Sequence, residues 1–90
     1  MGQEEVRFFD KTKELKIDNK ELILHNDDVN NFDYVIEVLV DICNHTQEQA
    51  EQCAFIAHFK GKCDVKKGTY TNLKPIWEEM IHRKLSVTIE

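Results

Sequence analysis

The sequence predicts an α+β fold in which three helices pack against a small three-stranded sheet. Its 90 residues suffice for one domain with a single modest core. Short apolar runs typical of strands are separated by stretches whose apolar residues recur every three or four positions, as in helices. The resulting order is β-α-α-β-α-β, and a sheet of this kind buries one face under its helices.

The first strand and the first helix are predicted from a change in the spacing of apolar residues. Residues 21–25 form an apolar run bounded by charge and then by Asn-Asp-Asp, which predicts a buried strand ending in a turn. From residue 32 to residue 43 the apolar side chains recur with helical spacing, while Glu37 and Asp41 face outward. Asn30 or Asn31 is the expected N-cap of this helix.

The remaining elements are predicted from their end signals. Thr46-x-x-Gln49 is a capping box that opens a second helix, and Gly61 is its expected C-cap. Residues 62–67 predict a strand followed by a turn at Gly68. A third helix begins near Thr69 or Thr71, so that Pro75 lies in or just after its first turn, and residues 85–89 alternate like a last strand.

The first 19 residues are polar and mixed in sign, with a small apolar group at Val6, Phe8 and Phe9. They are expected to be an N-terminal extension, either flexible or adding a strand through Leu15 and Ile17. The globular domain is predicted to cover residues 20–90.

Composition excludes several classes of function. The net charge of −5 argues against nucleic acid as the main partner, because phosphate binding requires a concentrated basic surface. No apolar run approaches the length of a membrane span, and the N-terminus lacks the order of a signal peptide. The three cysteines match no disulfide framework, so we expect reduced thiols in a cytoplasmic protein.

Two polar features are candidate sites. Asn26-Asp27-Asp28 follows His25 at the predicted junction of strand and helix, where it could bind a metal, act as acid and base, or recognise a cation. A polar turn that hydrogen-bonds its own backbone is the simplest interpretation. His58 lies in an apolar helical stretch, where a lone histidine is more often structural than a ligand. Because no Cys-x-x-Cys pair or nucleophile signature occurs, we expect neither a zinc site nor an enzyme.

Three segments together resemble the ClpS adaptors. They are Asn26-Asp27-Asp28, the helix of residues 32–39, and residues 52–63 with their His-aromatic-x-Gly-Lys pattern. The resemblance covers about residues 20–90 and leaves the first 19 unmatched. It implies that the three strands form an antiparallel sheet, a fold that the family shares with the C-terminal domain of the ribosomal stalk protein.

The resemblance also implies a function without chemistry of its own and without a cofactor. A ClpS adaptor binds proteins that carry a free α-amine on a bulky hydrophobic first residue, expected here to be Phe, Leu, Tyr or Trp. It delivers them to a Clp AAA+ ATPase, of ClpA or ClpC type, for degradation. The partners implied are this ATPase and the substrate proteins, with no nucleic acid and no membrane, and the adaptor is expected to be a monomer.

Ten site residues follow from the resemblance. The α-amine site consists of Asn26, Asp27, Asp28 and His58: Asn26 and a neutral His58 accept hydrogen bonds, and Asp27 supplies negative charge. The hydrophobic pocket is lined by Asn30, Phe32, Val35, Ala54, Ala57 and Leu85. The chain departs from the family at Phe32 and Ala54, where the family usually or often has Met, and a larger rim residue with a smaller pocket residue is expected to reshape the pocket.

Two alternatives belong to other classes of function. A metal-dependent hydrolase would use Asp27, Asp28 and His58 and would require a bound divalent ion. An interaction module like the ribosomal stalk domain would bind factors through its helices, with no dependence on Asn26, Asp27 or His58.

Overall fold

A computed structural model describes residues 19–90, and these form three strands and three helices in the predicted order. The elements are β1 (Asn19–His25), α1 (Phe32–Cys43), α2 (Gln47–Lys60), β2 (Lys62–Thr69), α3 (Tyr70–His82) and β3 (Val87–Ile89). The expected strand through Leu15 and Ile17, and the apolar group at Val6, Phe8 and Phe9, lie outside the described residues.

The three strands form one antiparallel sheet in the order β2-β1-β3. The first strand of the chain is therefore the central one, with His25 opposite Lys62 on one side and Leu24 opposite Val87 on the other. The α+β class and the antiparallel sheet are confirmed. Within residues 19–90, no helix combines the length and apolar character needed to cross a membrane.

The core lies between the sheet and the helices, because β1, α1 and α3 each turn an apolar face inward. The largest side chains with almost no exposure are Leu22, Leu24, Val38, Leu39, Leu73 and Met80. In contrast, α2 contributes only small residues to the buried set, namely Ala50, Ala54 and Ala57. Small side chains allow the helix to approach its neighbours closely.

The helix ends follow the predicted caps. Asn31 is the N-cap of α1, and its Oδ1 accepts a hydrogen bond of 2.8 Å from the Tyr34 backbone N–H. Thr46 and Gln49 make both bonds of the capping box at 3.1 and 3.0 Å. Gly61 ends α2 with a φ of 98°, a backbone conformation that favours glycine.

Two predicted boundaries are wrong. β2 continues through Gly68, which lies opposite Lys20, so there is no turn there, and Thr69 caps α3 directly. The last strand begins at Val87 rather than Leu85, because Lys84 takes a φ of 72° that interrupts extended backbone. Pro75 lies inside α3 just after its first turn, as expected.

Candidate functional site

A cavity opens where the end of β1, the loop before α1 and the second half of α2 meet. It encloses about 40 Å³, and about 340 Å³ of empty space when its open mouth is included. An enclosed volume of this size holds only a few water molecules. The lining residues are Leu24, His25, Asn26, Asp27, Asn30, Phe32, Val35, Ala54, Ala57 and His58.

The apolar wall of the cavity comes from the two facing helices. Val35 lies one turn into α1, and Ala54 and Ala57 share a face of α2 because residues three apart on a helix are neighbours. The two alanines are only 5% and 4% exposed. Since alanine ends at Cβ, these two side chains leave empty space between α1 and α2.

Phe32 and His58 face each other at the rim. Their ring centroids are 5.4 Å apart with an interplanar angle of 62°, an edge-to-face contact. Both residues are exposed. The Phe32 ring lies in the cavity lining on the α1 side.

Asp27 carries the negative charge of the site. Its carboxylate accepts hydrogen bonds from the backbone N–H groups of Val29 and Asn30, at 3.0 and 2.8 Å, and from the Asn30 side-chain amide at 3.2 Å. Partial burial alone would raise the pKa of Asp27, but the bonds from Asn30 and Val29 outweigh it and the net pKa lies below the ordinary value of 3.8. Asp27 is therefore an anion at neutral pH.

Asn30 connects this turn to the loop after α3. The same amide group that bonds Asp27 also donates to the backbone carbonyl of Lys84 at 2.8 Å. Nearby, the Tyr34 hydroxyl donates to the Arg83 carbonyl at 2.7 Å. The loop after α3 thus holds the start of α1 in place, and with it one side of the cavity.

Asn26 and His58 add polar side chains to the cavity lining. The Asn26 backbone N–H donates to the Gly61 carbonyl at 2.9 Å, which fixes the loop against the end of α2. Neither side chain makes a hydrogen bond to any residue in 19–90. The side-chain oxygen of Asn26 and a ring nitrogen of neutral His58 are therefore available to a ligand.

Eight of the ten predicted site residues line the cavity, and two do not. Asp28 is exposed and outside the lining. Leu85 is 3% exposed and belongs to the hydrophobic core, because the turn at Lys84 directs the chain inward before β3 begins. Sequence reasoning did not place Leu24 and His25 in the pocket, although their position next to Asn26 was a usable signal, and nothing in the sequence points to the Lys84 carbonyl.

Within residues 19–90, no three His, Cys, Asp or Glu side chains converge as a metal site requires. His25, the histidine closest in sequence to Asp27 and Asp28, has its Nε2 2.7 Å from the Thr88 hydroxyl. What the cavity does offer is a small apolar space whose lining also contains one anion, Asp27, and the polar side chains of Asn26 and His58. This arrangement is suited to a ligand that has a cationic donor beside an apolar group.

Comparison with known proteins gives consistent results. The sequence model of a family described as "ATP-dependent Clp protease adaptor protein ClpS" matches residues 16–87. The ATP-dependent Clp protease adapter protein ClpS of Treponema denticola is 40% identical over 53 residues, which are 59% of this chain and 52% of that protein. The chain therefore spans about half the length of this curated relative.

A solved structure resembles the fold. It is that of Agrobacterium tumefaciens ClpS2 bound to L-phenylalaninamide, with a TM-score of 0.69 and 20% sequence identity. The match covers 81% of this chain and 95% of the other. At this identity the likeness shows a common fold.

Proposed function

This chain belongs to the ClpS family of adaptors for the ATP-dependent Clp protease, and we propose that it binds proteins with a bulky hydrophobic first residue and a free α-amine. The observation that carries the proposal is the cavity, whose apolar interior and acceptor-lined mouth complement an amino-terminal residue. The similar fold of ClpS2, which was solved with L-phenylalaninamide, supports it, since that ligand has a free α-amine beside a phenyl group.

The α-amine is the group that the rim would recognise. Its pKa of about 7.7–8.0 makes it mostly a cation with three donors at neutral pH. Asn26 and neutral His58 supply acceptors, and Asp27 supplies the charge. Because Val29 and Asn30 already occupy much of the Asp27 carboxylate, its contribution is mainly electrostatic, acting directly or through one water molecule.

The side chain of the first residue would fill the cavity and its mouth. Burial of a Leu or Phe side chain contributes about 1.5–3 kcal/mol. Hydrogen bonds to a charged group add about 1.5–3 kcal/mol each, before the cost of association.

Delivery is the second half of the proposal. We infer that the bound protein is passed to a Clp AAA+ ATPase of the ClpA or ClpC type, in the cytoplasm, by a monomeric adaptor that performs no catalysis. The family description, which names the Clp protease, supports this part.

Fluorescence anisotropy with a labelled peptide that begins with Phe tests recognition. The same peptide with an acetylated N-terminus lacks the charge, so its affinity is expected to fall at least about tenfold. Asp27→Asn removes the anion while keeping the shape of the side chain. It should weaken binding of the peptide with a free amine but not that of the acetylated peptide.

The matched control is Asp28→Asn, which makes the same change one residue further on, outside the cavity lining. It should leave affinity within about twofold. Equal affinity for free and acetylated peptides, or equal losses in the two variants, would refute amine recognition at this site.

A further inference from the structure

A row of aromatic rings leads from the mouth of the cavity onto the outer surface of α2. The ring of Phe32 contacts His58 at 5.4 Å, His58 contacts Phe59 at 4.8 Å, and Phe59 contacts Phe55 at 4.4 Å between centroids. We call these four residues, Phe32, His58, Phe59 and Phe55, the aromatic ledge. Its first two members line the cavity and its last two do not.

The outer part of the ledge is open to water. Phe59 is 66% exposed and Phe55 is 55% exposed, and neighbouring Ile56 is 39% exposed. Single exposed apolar residues are ordinary on a protein surface, but a continuous aromatic patch beside a pocket is typical of a binding surface.

We propose that the aromatic ledge is a second subsite, which holds an apolar side chain from the second or third residue of the bound protein. This inference rests on the proposed function, because it takes the first residue to lie in the cavity. The substrate chain is the chosen occupant since Phe32 and His58 belong to both surfaces, so that a chain leaving the cavity meets the ledge at once.

The dimensions agree with this occupant. An extended peptide advances about 3.3 Å per residue, and successive side chains point to opposite sides. Phe59 lies 4.8 Å from the His58 ring, and Phe55 lies a further 4.4 Å from Phe59. Steps of one to three residues therefore bring a side chain of the substrate over these rings.

The prediction concerns the sequence after the first residue. A peptide beginning Phe-Leu-Leu should bind about fivefold more tightly than one beginning Phe-Ser-Ser, because partial burial of one or two Leu side chains is available only on the ledge. In the double variant Phe55→Gln, Phe59→Gln the two peptides should bind equally. Because both residues are exposed, the variant is expected to fold, and circular dichroism checks this.

Tyr70→Gln is the matched control, since Tyr70 is also an exposed aromatic residue, 52% exposed, but lies on α3 outside the cavity lining and the ledge. It should keep the preference for Leu. A wild-type protein without the preference, or a double variant that retains it, would overturn the proposal.

Acetylated versions of both peptides distinguish amine recognition at the cavity from side-chain binding on the ledge. If binding depends on the free amine but not on the second and third residues, the cavity assignment stands and the ledge is refuted. If no binding depends on the amine, the proposed function itself fails. Sedimentation velocity supplies the remaining test: a wild-type dimer that dissociates in the double variant would assign the ledge to self-association and refute the substrate subsite.

Discussion

Asn30 shows how much of the site depends on a single amide group. Its Nδ2 donates both to the Asp27 carboxylate and to the Lys84 carbonyl, which lies 54 positions away in the chain. The family resemblance assigned Asn30 to the pocket wall, and it does line the cavity. Its role in joining the two loops was not predictable, since a contact with a distant backbone carbonyl leaves no pattern in the sequence.

Adjacent asparagines provide a test of this role. Asn30→Asp places a carboxylate against the Asp27 carboxylate and the Lys84 carbonyl, so two donated bonds are replaced by repulsion. We expect its free energy of unfolding at pH 7 to fall by about 1–3 kcal/mol, measured by urea denaturation.

Asn31→Asp is the control, because Asn31 only accepts a hydrogen bond, from Tyr34, as the N-cap of α1. Aspartate caps equally well, and its charge is favourable at a helix N-terminus. The free energy of unfolding of Asn31→Asp should therefore equal that of the wild type or be slightly higher. Equal losses in the two variants would contradict the role assigned to Asn30.

Asp27 should make stability depend on pH. Because its folded-state pKa lies below the unfolded value of about 3.9, the carboxylate contributes stability above that value and loses it as pH falls through the folded pKa. The difference in unfolding free energy between wild type and Asp27→Asn should therefore be constant from pH 7 to 5 and shrink below about pH 4.

Urea denaturation at pH 7, 5 and 3 measures this difference, with Asp28→Asn as the control for net charge. If the difference in unfolding free energy between wild type and Asp27→Asn is the same at pH 3 as at pH 7, the hydrogen bonds to Asp27 do not favour its ionised form.

At the scale of elements, α2 leaves empty space beside α1. Its buried positions hold Ala50, Ala54 and Ala57, so the helix contacts the core without filling the gap beside α1. The spacing of these alanines predicted their common face. Whether the gap is a close packing contact or a cavity depends on the distance between α1 and α2, which the sequence alone does not determine.

Filling the gap should weaken recognition. Ala54→Phe places a ring in a cavity that encloses about 40 Å³, so affinity for a Phe-initiated peptide should fall at least about tenfold in anisotropy measurements. Glu48→Phe adds the same ring to an exposed position in the first turn of α2 and should have little effect. Unchanged binding by Ala54→Phe would show that the first side chain lies elsewhere.

The ends of the elements were predictable where the signal is local. The caps at Thr46 and Gly61 depend on residues within one turn, so the sequence indicates them directly. The extension of β2 through Gly68 depends on pairing with Lys20, and the late start of β3 depends on the backbone at Lys84. The first is a consequence of pairing between distant segments, whereas the second comes from a turn at the end of α3 in which the Leu85 N–H donates to the Met80 carbonyl. Both boundaries were predicted wrongly.

At the scale of the whole molecule, the core joins every element around β1, and Cys43 reports on its integrity. Its side chain is 2% exposed, with Sγ 3.6 Å from the Met80 sulfur. Burial raises the pKa of Cys43 to about 11, so the reactive thiolate is scarce as well as inaccessible at pH 8.

Iodoacetamide labelling at pH 8 should therefore modify Cys43 only when the domain unfolds globally. Peptide mapping by mass spectrometry across a urea series should show Cys43 labelling that rises together with the loss of helical circular dichroism. Cys53, which is half-buried, is the internal control and should be modified in the native state. Rapid labelling of Cys43 while the circular dichroism is still native would indicate local opening of α1.

The class and order of elements were predictable because each has its own periodicity, and eight of the residues that the family resemblance assigns to the site line one cavity. The antiparallel sheet was expected only through that resemblance. The central position of the first strand was not predicted, since nothing local specifies it. Leu85 illustrates the limit: its pattern fits a strand, but the turn at Lys84 places it in the core.

The central position of β1 has a consequence for synthesis of the chain. β1 leaves the ribosome before both of its sheet partners, and it stays unpaired until β2 and then β3 have been translated. The hydrogen bond from Asn30 that fixes the wall of the cavity likewise cannot form until Lys84 has been translated. Contacts between such distant segments form late in folding. A nascent chain that has not yet reached Lys84 therefore lacks the bond that fixes this wall of the cavity.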